Sequence, residues 1–233
     1  MSVRVLMLEL APEPVDPLTA GDERLYIALD LKDPYSHLAV PVLTALAGAI
    51  EQPVCWLPIN RPPVLSPDTV TGDGRGDEHK RHRFRYREQE LRFYAQALQR
   101  PLDALYAQPE TDLYHSVVLW VGANAPAQIH AVLETVFERY WRSALSAEDP
   151  DQWVSALNDS GIENDLGDRW ASAAIDGSAL SAAGRRAVAA QAEVLAGAGL
   201  FNAPALIFRG EVFYGRGHLP LLKERLAQPR AAS

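Results

Sequence analysis

A strand that runs into a helix through a single Asp-Pro step is the feature that most limits the folds open to this chain. Leu25, Ile27, Leu29 and Leu31 alternate over 25–31 in the period-2 pattern of a strand. Asp33-Pro34-Tyr35-Ser36 follows at once and heads an apolar helical run to about Ala49. Asp at a helix cap accepts from first-turn N–H groups, and proline is preset for the first helical position. A further strand is expected over 53–59, so the order is strand, helix, strand. Far downstream, Phe201-Asn202-Ala203-Pro204 opens another apolar strand, with proline at its entrance.

Between these ends the chain changes character. Residues 3–10 alternate (Val3, Val5, Met7, Glu9) and are expected to form an edge strand, followed by a Pro-rich link over 11–22. Asn60 to Asp77 is rich in Pro and Gly without periodicity, which predicts a long loop. Helical patterns then cover 78–100, 125–145, 150–159 and 181–198, with shorter pieces near 113–122 and 163–175. Leu91, Tyr94, Ala95 and Leu98 mark one apolar face; Val132, Val136, Phe137, Tyr140 and Trp141 mark another. Gly197 and Gly199 end the Ala-rich run. Ala205–Phe208 and Glu211–Tyr214 read as two strands turning at Arg209-Gly210, and a last helix is expected over 219–226. Periodicity alone supports a mixed α/β chain with a long helical segment.

Composition removes several classes of function. A net charge of -8 argues against a nucleic-acid partner, which usually meets a basic surplus. No apolar run approaches the ~18–20 residues of a membrane span. Acidic flanks and the lack of a small-residue cleavage site argue against a secretory signal at the N-terminus, so a cytoplasmic location is expected. Cys55 is the single cysteine, which excludes an internal disulfide and any Cys-X-X-Cys exchange chemistry. It lies mid-strand and is expected to pack as a small buried hydrophobe.

Two blocks resemble a known family. Asp30-Leu31-Lys32-Asp33-Pro34-Tyr35-Ser36-His37-Leu38 is similar to the pattern Asp-x-x-Ser-Pro-Tyr-Ser-[Tyr/Trp]-Leu at Asp30, Pro34, Tyr35, Ser36 and Leu38. Gly199-Leu200-Phe201-Asn202-Ala203-Pro204, then Gly210 to Gly215, follows the pattern Gly-x-Phe-Gly-x-Pro, strand, Gly turn, Phe-x-Gly. Arg85-Tyr86 with Phe93-Tyr94-Ala95 adds a looser match to a basic-aromatic helix. Both patterns belong to kappa-class glutathione transferases and bacterial 2-hydroxychromene-2-carboxylate isomerases, within the DsbA-like thioredoxin superfamily. The resemblance implies an α/β fold: a thioredoxin-like domain (22–62 and 200–228) interrupted by an all-helical insertion (78–198), after an N-terminal extension (1–21). It further implies a cis Ala203-Pro204 bond, a possible homodimer, and a cleft for a small aromatic or carboxylated substrate, with no metal and no membrane partner. Catalytic work would fall to Asp33 and Ser36. Tyr35, Asn60, Ala203, Pro204, Arg216 and His218 would bind substrate.

The same resemblance exposes two departures. Glutathione-dependent relatives place Ser where this chain has Asp33, so that the helix N-terminus can hold a thiolate. A carboxylate there is expected to be ionised, to satisfy the helix N–H groups itself, and to repel a thiolate by roughly 1 kcal/mol in water and about 4 at an effective dielectric near 20. Gly215-Arg216-Gly217-His218 also lacks the Ser-Asp pair that holds the γ-glutamyl end in the family. Arg216 is a candidate to hold an anionic group instead. The enzyme resembling the isomerases therefore competes with a diverged binding or scaffold protein without thiol chemistry.

Other features have plainer readings alongside functional ones. Asp33 is either an acid/base or only a helix cap, and Ser36 either catalytic or a backbone-bonded hydroxyl. Tyr35 and His37 flank the turn and are both candidates to line a substrate cavity, Tyr35 the better one, with solvent the plainer expectation for His37. His79 and His82 lie among arginines that would repel a metal cation. The basic stretch Arg75–Arg92 is either a solvated face or a landing site for an anionic ligand. Gly72 to Gly76 lacks the Lys-Ser/Thr and strand context of a phosphate loop. The tryptophans at 120, 141, 153 and 170 are expected in a core or a dimer contact.

Overall fold

A computed structural model describes residues 15–62, 64–162, 178–200 and 202–229. The expected strand over 3–10, the helical piece near 163–175, Trp170 and Phe201 lie outside the described residues. Strand β1 (Leu25–Leu29) leads to helix α1 (Pro34–Ala49) and strand β2 (Val54–Pro58). Helices α2 (Arg75–Leu98), α3 (Asp112–Asn124), α4 (Ile129–Trp141), α5 (Pro150–Asp159) and α6 (Ser178–Gly197) follow. The chain returns through β3 (Ala205–Phe208), β4 (Glu211–Tyr214) and α7 (Leu219–Ala227). The sheet order is β2-β1-β3-β4, with β1 parallel to β2 and antiparallel to β3, and β3 antiparallel to β4. This is the expected α/β arrangement, its sheet built from the two ends of the sequence and its helices lying between them.

Local chemistry accounts for the element ends. The Asp33 carboxylate accepts from the Ser36 N–H at 2.6 Å and Pro34 occupies the first turn of α1. Asp149-Pro150 repeats the device at α5, where Asp149 accepts from the N–H groups of Asp151 and Gln152. At the β3–β4 turn Arg209 (φ 51°) and Gly210 (φ 77°) are both left-handed, as a tight hairpin turn that follows the sheet twist requires. Arg209 also forks onto Glu23, just ahead of β1. Helix α2 begins at Arg75, inside the Gly-rich stretch read as loop, because Asp77 and Glu78 donate their N–H groups to the Gly74 carbonyl.

Both faces of the sheet are covered. Leu25, Ile27, Leu29, Leu206 and Phe208 pack into the main core with α1 and with residues of α2, α3, α4, α5 and α7. Tyr26, Ala28, Ala205 and Ile207 pack on the other face with Leu195 of α6. Strands β1 and β3 are therefore buried along their whole length rather than alternately. Trp120, Trp141 and Trp153 are fully buried core residues.

The helical layer is tied to the ends of the parallel strands by hydrogen bonds. Trp141 Nε1 donates to the Leu31 carbonyl at 3.0 Å, His115 Nε2 to Ile59 at 3.2 Å, and the Tyr114 hydroxyl to Leu29 at 3.4 Å. The carbonyls of Leu31 and Ile59 lie where the ladder stops, so partners must come from elsewhere, whereas that of Leu29 also accepts from the Ile59 N–H at 2.9 Å. Burial pulls the His115 imidazole down to about 4, which keeps it neutral.

Candidate functional site

The turn from β1 into α1 is organised by Asp30, which is 1% exposed. Its carboxylate accepts from the backbone N–H of Lys32 (3.0 Å) and of Arg61 (2.8 Å), its carbonyl accepts from Asp33 N–H, and its own N–H reaches Ser36 Oγ at 3.4 Å. One side chain thus fixes the turn and the loop after β2 together. Burial raises the Asp30 carboxyl above the usual carboxylate range.

Asp33 lies beneath the turn, 9% exposed, with its carboxylate on the Ser36 backbone. Burial pushes its carboxyl up to about 7, against the hydrogen bonds from Ser36, with Asp30 adding a further rise and Arg87 opposing it. The expectation of a fully ionised carboxylate at this position is corrected accordingly: desolvation outweighs the helix N-terminus. Ser36 is 0% exposed and its hydroxyl is bonded to backbone.

Above the turn lies a cleft of about 430 Å³ lined by Tyr35, Arg61, Arg87, Ala203, Pro204 and Arg216, together with Asn202, Tyr214 and Gly215. The Ala203–Pro204 peptide is cis, as the resemblance implied. Gly215 adopts φ 66°, ψ -177°, a conformation open in practice only to glycine, and donates its N–H to the Pro204 carbonyl at 3.0 Å. The Tyr35 hydroxyl donates to Glu90 at 2.9 Å; burial and that carboxylate push the phenol up to about 12, so it stays protonated.

The structure therefore brings Tyr35, Ala203, Pro204 and Arg216 to one cavity. Asp33 and Ser36 lie below it rather than in its lining. Asn60 is exposed and accepts from Lys32 Nζ at 2.6 Å, while its neighbour Arg61 lines the cleft. His218 is exposed, and its Nδ1 accepts from the Tyr214 N–H at 3.0 Å. Arg87, Asn202 and Tyr214 are cleft residues that sequence reasoning did not single out; for Arg87 the signal was present in the basic stretch Arg75–Arg92.

His37 corrects another expectation. It is 0% exposed, stacked on Trp141 at 5.0 Å, with Nε2 donating to the Pro101 carbonyl and Nδ1 facing Arg100. Burial and the Arg100 charge pull it down to about 3, so it is a neutral structural residue. Cys55 is partly buried in β2, and burial raises its thiol. Among the described residues no cluster of His, Cys, Asp or Glu is suited to hold a metal ion, and no helix is long and apolar enough to cross a membrane.

A helix launched from the end of β1, a mixed sheet of this order and a cis-proline facing the helix start define a thioredoxin-type fold. The sequence profile of the DSBA-like thioredoxin domain matches residues 29–227, and the chain belongs to that family. Solved structures of the same fold include a 2-hydroxychromene-2-carboxylate isomerase, 18% identical, covering 87% of this chain and 94% of that one, with a TM-score of 0.59. A protein described as a probable DsbA oxidoreductase from Streptomyces coelicolor is 15% identical over 90% of this chain and 92% of that one, TM-score 0.63. A thiol-disulfide oxidoreductase from Actinomyces oris is 12% identical over 97% and 92%, TM-score 0.52. A search of curated protein sequences finds no match.

Proposed function

We propose that this protein is a thiol-independent member of the DSBA-like family that takes a small aromatic or carboxylated molecule into the cleft between α1, α2 and the Ala203–Pro204 loop. The observation that carries this reading is Asp33: its carboxylate occupies the helix N-terminus where relatives hold a sulfur, and it caps Ser36 from a buried position. Glutathione does not fit the residues present. Its thiolate would have to displace a cap already made, and the loop Gly215-Arg216-Gly217-His218 offers no hydroxyl or carboxylate to its γ-glutamyl end.

Calorimetry with glutathione tests this directly. Wild type is expected to give no saturable heat at several millimolar. Asp33→Ser, which restores the hydroxyl and removes the carboxylate, is expected to bind in the micromolar to low millimolar range. Wild-type binding in that range would overturn the thiol-independent reading. A silent Asp33→Ser would show that Asp33 is not what excludes the thiol.

A second reading starts from the place of Asp33, buried just beneath the cleft with burial pushing its carboxyl up to about 7. A general acid/base works best with a pKa near the operating pH. In this reading the protein is an isomerase like its structural neighbour, with Asp33 carrying the proton once a shift of the Tyr35 side chain opens it to the cleft. Turnover of a 2-hydroxychromene-2-carboxylate without glutathione, lost in Asp33→Asn, would support it; no turnover by wild type would remove it.

A further inference from the structure

The arginines of the cleft differ from seven others in the molecule. Arg24, Arg92, Arg100, Arg139, Arg142, Arg209 and Arg225 each lie against a carboxylate. Arg61, Arg87 and Arg216 are half-buried, and among the described residues none of them forms an ion pair. Arg87 lies over the Tyr35 ring with its guanidinium carbon 5.2 Å from the centroid, and Arg216 lies over Tyr94 at 5.1 Å. Arg61 donates to the neutral side-chain amide of Asn202.

This arrangement leaves donors free. A guanidinium carries five N–H donors; Arg87 spends some on the Tyr35 side chain and Arg61 on the Asn202 amide, and the others remain for a ligand. Contact with the Tyr35 and Tyr94 rings holds the Arg87 and Arg216 side chains, so less side-chain entropy remains to be lost when an anion arrives. Two acidic groups face the same region: Glu90, which already accepts from the Tyr35 hydroxyl, and Asp33, buried beneath the turn on the Ser36 backbone. Neither is bonded to any of the three guanidiniums. A protein of net charge -8 therefore keeps a local surplus of positive charge inside a half-enclosed, ring-lined cleft. Coulomb interactions there are several-fold stronger than in open water.

We propose that the cleft recognises a small aromatic dianion, such as an aryl phosphate, with its charged group gripped between Arg87, Arg216 and Arg61 and its ring set among Tyr35 and Tyr214. The inference rests on the small-molecule reading above and adds the charge of the ligand. Three guanidiniums present more N–H donors than the two oxygens of a carboxylate can take up, and the three oxygens of a phosphate match those forked donors better. A volume of about 430 Å³ suits a molecule of this size.

Calorimetry at pH 8 with phenyl phosphate, benzoate and phenol tests the proposal. Phenyl phosphate is expected to bind at least about tenfold more tightly than benzoate, with phenol weakest. Arg87→Gln and Arg216→Gln are each expected to weaken phenyl phosphate at least tenfold and benzoate much less, so that the preference collapses. Arg225→Gln, an arginine already held by Glu211, is expected to leave it unchanged. Thermal melts of each variant establish that the fold is intact. Equal affinity for benzoate and phenyl phosphate would overturn the dianion while leaving a small-molecule cleft in place. Absence of saturable binding by all three would remove both.

Discussion

Replacing Trp141 with alanine is expected to cost the fold at least about 4 kcal/mol. A buried Trp→Ala change removes about 3–5 kcal/mol by lost transfer energy and cavity formation, and Trp141 is 0% exposed. Its indole N–H also satisfies the Leu31 carbonyl, and leaving a buried acceptor unpaired adds about 1–3 kcal/mol. Against a typical total of about 5–15 kcal/mol, this is enough to leave little folded protein at elevated temperature. Urea denaturation of wild type and Trp141→Ala measures it. Trp141→Phe, which keeps a ring against His37 but drops the donor, should lose only about 1–3 kcal/mol. A Trp141→Ala loss below about 1 kcal/mol, the size of an ordinary surface change, would contradict the assignment of this residue as the tie between the helical layer and the strand ends.

Asp33→Asn is expected to change how stability depends on pH. In the folded protein the carboxyl titrates near about 7, against about 3.9 for an unperturbed aspartate. The folded state therefore holds the proton more tightly than the unfolded chain does. The stability this contributes is complete below about pH 4 and is lost as pH rises through about 7. Each tenfold gain in proton affinity on folding corresponds to about 1.4 kcal/mol, so the loss amounts to a few kcal/mol by pH 8. Asparagine keeps an acceptor for the Ser36 N–H without titrating. The variant should match wild type near pH 4, exceed it at pH 8, and show a flatter profile between. Asp30, also buried and raised, interacts electrostatically with Asp33, so the difference between the two curves reports Asp33 together with its effect on Asp30. Parallel curves from pH 4 to 8 would show that Asp33 is an ordinary exposed cap.

What could be read from the sequence was whatever neighbouring residues decide between themselves. The Asp33-Pro34 cap and the Arg209-Gly210 turn are local agreements between side chain and backbone, and the structure keeps both. The framing of the cleft by Tyr35, Pro204 and Arg216 came from two motifs whose residues lie far apart in sequence and meet in the fold. Properties that depend on a distant partner were not legible. His37 follows a polar serine on a helix, and nothing nearby announces the Trp141 ring it stacks on. Arg87 looks like its neighbours Arg83 and Arg85 until the fold sets it over Tyr35. The charge state of Asp33 belongs in the same group, since a carboxylate at a helix start reads as an anion unless its depth is known.

The bonds from Trp141, His115 and Tyr114 to the strand-end carbonyls have a kinetic consequence. Swinging the helical layer away from the sheet would strip the Leu31 and Ile59 carbonyls of these donors and break the Tyr114 bond to Leu29, which makes such a hinge a costly route for a ligand. A ligand then reaches the cleft past the side chains of Arg61, Arg87 and Arg216, without a movement of whole elements. Capture should be a diffusion-and-charge event, slowed by salt and indifferent to any large closing movement.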